Sequence, residues 1–474
     1  MTRALAALAL ALLLQACGSF SPNPPLETYV PKAGYSFGRL ELGRHNTDEL
    51  FVIVTFSGGG TRAAALAYGV MEELRATPIG KAGEGARLLD EVDVISSVSG
   101  GSFTAAYYAL RGEKLFDEFA DLFLYRPIQS ELLREMLSPS SWLKLAGASY
   151  GRSDLAAEFY DRELFRGATY AELIARKTRP FVVLNATDMT TGTPFPFLQD
   201  QFDMMCSDLA GVPLARAAAA SSAFPGALTP LTFQNYAGSC EYRQPSWVQT
   251  AIDDRPLRLN ARRRAVAENR LSLAAAVEAK PARPYIHLTD GGVADNIGLR
   301  GPLDALGSPN HPWSVVRMMN NGPIEKLVVI AVNAATGASA GRDQSASVPG
   351  LIDTVVTAAD VPLGNYSFDT VELLAKAAQE NARDARLVEQ CNRLSAARGA
   401  QCALKLPSAR KVDFYPVQVS FEYIASAEER AWFRGLPTKF ELPADTVTKL
   451  RAVARRLLAE DPQFQKLLKD LGAE

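Results

Sequence analysis

Hydrophobic positions along the chain follow two alternating patterns: short unbroken runs, and longer stretches with a helical repeat. Leu50-Phe51-Val52-Ile53-Val54-Thr55-Phe56 is apolar and β-branched with no polar face, the pattern of a strand covered on both sides. After Ser57-Gly58-Gly59-Gly60-Thr61-Arg62 come Ala67, Val70, Met71 and Leu74, spaced to share one face of a helix. Val92–Val98 predicts a second buried strand. It breaks at Ser99-Gly100-Gly101 and continues as a helix with Phe103, Ala106, Tyr107 and Leu110 on one stripe. Further short strands are predicted over residues 181–184, 285–288 and 327–332. Strands alternating with helices predict an α/β fold, a mainly parallel sheet flanked by helices. Residues 117–179 are mostly helical in pattern, with Leu122, Phe123, Leu124, Trp142 and Leu143 among their apolar positions. They read as a cap over an apolar site or as packing helices. Residues 241–283 read as an insertion between two core elements. Beyond Val412 the pattern predicts one strand, over residues 414–423, and a final helix from Ala444.

The N-terminus changes the picture of where the chain works. Behind Arg3, Ala4 to Leu14 is an apolar run of 11 residues, too short to cross a bilayer and suited to the core of an export signal. It ends in Leu14-Gln15-Ala16-Cys17, which resembles the lipobox of bacterial lipoproteins. The competing reading is a plain secretory peptide. The resemblance implies a signal peptide over residues 1–16 and cleavage before Cys17. It also implies a lipidated tether over 17–40, rich in proline at Pro22, Pro24, Pro25 and Pro31. Gly18 is similar to the residue following the cysteine in lipoproteins sent to the outer membrane. The expected location is therefore the cell envelope, an outer-membrane-anchored lipoprotein with its body in the periplasm or at the cell surface. In such a compartment Cys206, Cys240, Cys391 and Cys402 are disulfide candidates, with sequence proximity favouring 206–240 and 391–402. No Cys-x-x-Cys spacing occurs, which argues against zinc and thiol-redox chemistry.

Composition narrows the chemistry. The chain has 474 residues, 47% hydrophobic and 22% charged, with a formal net charge of -2. This is globular composition, and the charge disfavours a nucleic-acid partner. His45, His287 and His311 are the only histidines, too few for a multi-histidine metal centre, and no cofactor or metal is expected.

Three segments point to acyl chemistry. Gly58-Gly59-Gly60-Thr61-Arg62 lies between a strand and a helix, where glycine lets the backbone approach a ligand and unpaired N–H groups face it. That suits an oxyanion hole. The same glycines fit a dinucleotide fingerprint, but no second strand with a terminal acid follows. Ser97-Val98-Ser99-Gly100-Gly101 fits a nucleophile elbow, with Ser97 in place of its first glycine. Ser96, Ser97 and Ser102 are neighbours to be told apart from it, and Ser99 alone sits at the turn. Asp290-Gly291-Gly292 follows a strand and places a carboxylate at a sheet edge, where open α/β sheets bind ligands. His287 is three positions from Asp290, so strand alternation turns it away. A serine–aspartate dyad is favoured over a triad through His287 or His311.

In that order, these three motifs resemble patatin-like phospholipases. Ala220-Ser221-Ser222-Ala223-Phe224-Pro225 and Asn296 resemble further blocks of the family. The similarity covers residues 50–300. It implies a three-layer hydrolytic domain over residues 41–440, with a helical cap about 112–179, the 241–283 insertion, and a C-terminal helix over 441–474. It implies that Ser99 is the nucleophile and Asp290 its base, with a pKa raised by partial burial. Gly58, Gly59, Gly60 and Arg62 would form or fix the oxyanion hole, Gly100 and Gly101 the elbow, and Gly291 and Gly292 the aspartate turn. Ser221 and Ser222 read as structural. The activity implied is hydrolysis of carboxylic esters of membrane lipid, of phospholipase A or lysophospholipase type. A general carboxylesterase or thioesterase and a non-catalytic lipid-binding lipoprotein are the alternatives. Arg255, Arg258, Arg262, Arg263, Arg264 and Arg270 form either a solvated basic face or a head-group contact.

Overall fold

The computed structural model describes residues 20–80, 85–253, 261–307, 323–337, 350, 367, 369–376, 379, 383, 386–387, 389–394 and 412–473. β1 (Leu50–Phe56) runs through the glycine loop into α1 (Gly60–Ala76), and β2 (Val92–Val98) runs through Ser99 into α2 (Gly100–Arg111). The cap region holds α3 (Ile128–Met136), α4 (Pro139–Leu145), α5 (Arg152–Tyr160) and α6 (Tyr170–Arg176), with π-helical turns at Leu115–Leu124 and Asp161–Phe165. β3 (Phe181–Asp188), β4 (Pro194–Pro196), α7 (Gln199–Met204), α8 (Leu214–Ser221) and β5 (Leu231–Gln234) follow. The insertion consists of α9 (Ser246–Asp253), α10 (Ala261–Ala274) and a small hairpin, β6 (Ala276–Val277) with β7 (Lys280–Pro281). Next come β8 (Tyr285–Asp290), α11 (Gly292–Asp295), α12 (Arg300–Gly307), β9 (Lys326–Asn333) and β10 (Asp413–Ser420). The chain closes with α13 (Ala427–Arg434), α14 (Ala444–Glu460) and α15 (Pro462–Leu471).

The main sheet is mixed and mostly parallel, ordered β10-β9-β1-β2-β3-β8-β5 with β4 beside β3. β1, β2, β3, β9 and β10 run parallel. Every residue of β1, β2 and β3 is buried, because helices cover both faces of a parallel sheet. The tail strand of the sequence reading, 414–423, is β10, and its last residues turn off the ladder as a short 3-10 helix at Phe421–Tyr423. β8 departs from the simple parallel picture. It runs antiparallel to β3, pairing Asp290, Thr289 and Leu288 with Ala186, Thr187 and Asp188. Its first residues therefore project beyond the carboxyl ends of the parallel strands, and its own carboxyl end returns to that rim.

The segment beyond residue 441, whose role the sequence leaves unread, is two helices. Asp461 caps α15 by accepting from the Gln463 and Phe464 N–H groups. α14 buries Val447, Leu450, Ala454, Leu457 and Leu458, spaced along one face, and crosses α1 at Gly69. A Cβ at Gly69 would lie 2.8 Å from Ala454 Cβ and 2.9 Å from Arg451 Cα, so glycine here allows close helix contact.

Two expectations are corrected. Residues 20–40, expected as a tether, are docked on the body from Phe20 onward. The Leu26 and Tyr29 N–H groups donate to the Cys206 and Cys240 carbonyls at 2.7 and 2.9 Å, and the Asn23 side chain brackets the Gln234 backbone. The segment runs as a strap from the carboxyl rim to the opposite edge, where Tyr35 hydroxyl exchanges hydrogen bonds with Val182. Of the two expected disulfides, Cys206–Cys240 is formed with Cα atoms 5.4 Å apart. Cys391 is instead a free, exposed thiol, and Cys402 lies outside the described residues. Closeness in sequence does not orient two cysteines toward each other, whereas Cys206 and Cys240 are brought together by the strap and the sheet edge. Met1 to Cys17, His311, Arg255 and Arg258 also lie outside the described residues. No helix among the described residues is long and apolar enough to cross a membrane.

Candidate active site

Ser99 occupies the single residue between β2 and α2, with φ 49° and ψ −121°. An L-residue adopts this conformation only when its surroundings impose it, as at a nucleophile elbow. Hydrogen bonds and close packing impose it. The Ser99 N–H donates to Ser221 Oγ at 2.9 Å, and that hydroxyl donates to the Asn185 carbonyl at 2.7 Å. A Cβ at Gly100 would collide with the Gly60 carbonyl, and one at Gly101 would fall 2.6 Å from Phe56 Cβ. Both glycines therefore let the first turn of α2 nest against the glycine loop. Ser97, which stands where the elbow pattern has glycine, fits because its hydroxyl donates to the Val183 carbonyl at 3.2 Å. Ser96 is likewise engaged, donating to the Gly298 carbonyl at 2.6 Å. Ser102 Oγ lies 2.9 Å from Ser221 Oγ and 3.2 Å from Ser97 Oγ, within the same hydroxyl cluster.

The glycine loop lies beside the elbow. A Cβ at Gly58 would fall 3.1 Å from Ser99 Cβ and 2.6 Å from Asn296 Oδ1. The Gly58 N–H donates to the Asn296 carbonyl at 2.9 Å, so Gly58 shapes the loop while its donor is engaged elsewhere. Gly59 and Gly60 have φ of 139° and 60°, in the region that favours glycine. α1 starts at Gly60, and the first N–H groups of a helix have no intrahelical acceptor. Thr61 N–H is taken by the Lys439 carbonyl at 2.8 Å. The Gly59 and Gly60 N–H groups have no protein acceptor among the described residues. Arg62 is buried; its Nε donates to the Ala334 carbonyl at 2.8 Å and a terminal nitrogen to Thr438 Oγ1 at 3.1 Å, with the Leu436 carbonyl also held. It braces the loop against the end of β9 and the 436–439 segment.

Asp290 is the last residue of β8 and is buried. Its Oδ1 accepts the Gly292 N–H at 2.8 Å, and its carbonyl accepts Thr187 Oγ1 at 2.8 Å. The register pairs Val98 with Asn185 and Ala186 with Asp290. Asp290 thus lies two strands across from the end of β2, about 10 Å at the backbone. Its turn reaches the elbow strand: a Cβ on Gly291 would lie 3.1 Å from Val98 Cγ1. Ser221 links the two halves, because its carbonyl accepts the Gly291 N–H at 3.0 Å while its hydroxyl holds Ser99. From Asp290, α11 leads to Asn296 on the glycine loop. The sheet rim therefore gathers all three sequence motifs.

Of the remaining candidates, Ser222 bonds back to the Ala218 carbonyl at 2.8 Å, a local helix-end contact. His287 is exposed, with Nδ1 3.0 Å from Thr232 Oγ1 on β5. Arg270 is buried and paired with Asp200 at 2.5 Å, and Arg264 pairs with Glu268 at 2.8 Å. These two arginines of the basic cluster are engaged with the protein itself.

A model of the patatin-like phospholipase family matches residues 54–303. That span is more than half of the 474 residues and contains the glycine loop, Ser99 and Asp290. The chain belongs to the patatin-like phospholipase family. The chemistry of this family is lipid acyl hydrolysis. No curated protein matches the chain. Among solved structures, human GIVD cytosolic phospholipase A2 is similar at 13% identity and a TM-score of 0.31, covering 62% of this chain and 44% of that one. The same enzyme in complex with methyl gamma-linolenyl fluorophosphonate and terbium chloride gives 13% and 0.29, over 63% and 42%. VipD from Legionella pneumophila gives 9% and 0.26, over 86% and 67%. This patatin-like chain spans less than half the length of the human phospholipase chains it resembles.

Some site-shaping residues of this patatin-like domain escape motif reading. Asn185 contributes its backbone carbonyl to Ser221 and its side-chain amide to Ser96 Oγ and the Ser97 carbonyl, both at 3.0 Å, with no motif to mark it. Leu436, Thr438 and Lys439 approach the loop from far along the chain, with no local pattern to mark them. Ser221 was visible as part of the Ala220–Pro225 block, but only its position beneath Ser99 reveals what its hydroxyl does.

Proposed function

We propose that the protein is a serine acyl hydrolase of membrane lipid, of phospholipase A or lysophospholipase type, working through a Ser99–Asp290 dyad. The observation that carries the reading is the strained Ser99 backbone at the strand–helix turn, flanked by the unengaged N–H groups of Gly59 and Gly60. In the proposed reaction Asp290 takes the Ser99 Oγ proton as that oxygen bonds to the ester carbonyl carbon. The carbonyl electron pair moves onto oxygen, where the Gly59 and Gly60 N–H groups stabilise it. One such donor lowers the barrier by about 3–4 kcal/mol in comparable sites. The electron pair then returns, the ester C–O bond breaks, and the proton on Asp290 passes to the departing alcohol. Water repeats the cycle on the acyl-enzyme, releasing the fatty acid and restoring Ser99. Cys17 is the proposed acylated anchor, which would hold the body at the outer membrane.

A fluorophosphonate probe tests the chemistry. The protein is expected to be labelled once, at Ser99, and Ser99→Ala to lose the label. Asp290→Asn should reduce kcat by about a thousandfold or more. Labelling that persists in Ser99→Ala would overturn the assignment. Faster turnover of simple esters than of phospholipids would move the activity to a general carboxylesterase. Incorporation of radiolabelled palmitate, lost in Cys17→Ser, tests the anchor separately.

A further inference from the structure

Asn296 stands at the catalytic rim, yet neither the dyad nor the glycine turns use its side chain. Its backbone is firmly held. The Asn296 carbonyl accepts the Gly58 N–H at 2.9 Å. Two residues on, the Gly298 carbonyl accepts Ser96 Oγ at 2.6 Å, and the Gly298 N–H donates to the Asp295 carbonyl at 3.2 Å. Gly298 has φ of 69°, and a Cβ there would crowd the Ser96 carbonyl at 3.2 Å. Ile297 and Leu299 beside it are fully buried. The segment therefore fits closely against the elbow strand β2.

The side chain is the opposite case. Among the described residues the Asn296 carboxamide makes no hydrogen bond. The residue is half-buried, and neither end of the amide is sealed from solvent. A sealed, unpaired amide would be costly; this one keeps its access to water and is available to a ligand. Its place indicates which ligand. A Cβ on Gly58 would lie 2.6 Å from Asn296 Oδ1 and 3.1 Å from Ser99 Cβ. The carboxamide and the nucleophile therefore flank the same point at the start of the glycine loop. The carbonyl of Asn296 occupies one backbone donor of that loop, the Gly58 N–H. Its side chain brings an amide NH2 group to the same place. With no hydrogen bond fixing either end, the amide can turn its nitrogen to the site without breaking a contact.

We propose that the Asn296 carboxamide is a third donor to the oxyanion, joining the Gly59 and Gly60 N–H groups. The inference deepens the Ser99–Asp290 reading and rests on it. As Ser99 Oγ bonds to the ester carbon and the carbonyl electron pair moves onto oxygen, Asn296 Nδ2–H donates to that oxygen. Asn296 forms no covalent bond and keeps its protons. A hydrogen bond to a charged oxygen is stronger than one to an ester carbonyl, so the gain falls on the transition state. The pinned backbone holds the donor in place before charge develops. The neighbouring Asp295 carboxylate is engaged locally, with Oδ2 accepting the Arg300 N–H at 2.7 Å.

Asn296→Leu keeps roughly the same shape and removes the donor. On a lipid ester, kcat is expected to fall about a hundredfold and KM to change less than about threefold. The thermal midpoint should stay at the parent value, because the amide bonds to nothing in the fold. Affinity for a trifluoromethyl ketone, whose adduct with Ser99 carries the oxyanion, should fall by the same factor as kcat/KM. Affinity for the product fatty acid should hold. The acid limb of the pH–rate profile should not move, which separates a donor to substrate from a residue acting through Asp290. Unchanged kcat in a folded variant would overturn the proposal, as would a loss carried by KM alone or a displaced acid limb. If Asn296→Leu does not fold, Asn296→Asp decides, since its ionised carboxylate has the same shape and no donor; activity equal to the parent would again overturn the proposal. A parent that hydrolyses no ester and takes no fluorophosphonate label at Ser99 sinks the hydrolase reading and this inference together. An active parent with an equally active Asn296 variant sinks this inference alone.

Discussion

The Ser221 hydroxyl accepts the Ser99 N–H and donates to the Asn185 carbonyl, both in the buried interior. Replacing it with alanine leaves one donor and one acceptor without partners, a cost of about 1–3 kcal/mol for each such buried group. It also removes what holds the Ser99 backbone in its unusual conformation. Ser221→Ala is therefore expected to lower the thermal midpoint and to reduce kcat more than it alters KM. A variant with unchanged kcat would show that the elbow keeps its shape by other means. The sequence reading treated Ser221 as structural, and its contacts agree. What was not legible is that the structure it supports is the elbow itself, because the partner lies 122 residues earlier in the chain. By contrast, the requirement for glycine at 59, 60, 100 and 101 was legible. It follows from local backbone geometry and from the tightness of a strand–loop–helix turn.

At the scale of elements, α14 is a buttress for α1, the helix that begins with the glycine loop. Gly69 sets their separation, and Arg451 pairs with Glu72 at 2.6 Å alongside. Gly69→Leu is expected to force the helices apart and cost about 3 kcal/mol or more, because backbone and Ala454 both occupy the space. Denaturant titration would register the loss as a lower midpoint; an unchanged midpoint would mean that α14 contributes little. An unbroken apolar run revealed β1 because both its faces are covered. The direction of β8 was hidden, since an apolar run looks the same whichever way it pairs. In the antiparallel register Asp290 pairs with Ala186, next to the Asn185 that pairs with Val98, so it stands level with the elbow only because β8 starts beyond the rim. The strap over residues 20–40 was misread for a related reason. Proline-rich composition describes backbone stiffness and says nothing of the groove the segment fills.

For the whole molecule, three buried acids couple stability to pH. Burial pushes Glu91 up to about 7 against hydrogen bonds from Thr47, and Asp203 up to about 7 against one from Gln199. Burial also pushes Asp93 up to about 6, although Arg179 and the Val52 N–H favour its charged form. Each acid holds its proton more tightly folded than unfolded. Their contribution to stability is therefore complete below the unfolded values near 4 and is lost as pH rises through 6 to 7. Glu91→Gln and Asp203→Asn should flatten that loss. Relative to the parent, both variants should gain in denaturant midpoint between pH 5 and pH 8, and parallel profiles would contradict the assignment.

Sequence alone determined the alternation of strands and helices, the glycine loop, the Ser99 turn and the Asp290 turn. All of these are local, dictated by side-chain periodicity over a few residues and by where only glycine fits. Tertiary structure alone decided the strand order, the reversal of β8, the hydroxyl bridge through Ser221 and the buttressing by α14. Those depend on contacts between residues hundreds of positions apart, where complementary shape and hydrogen bonding act and no short-range pattern records the partner.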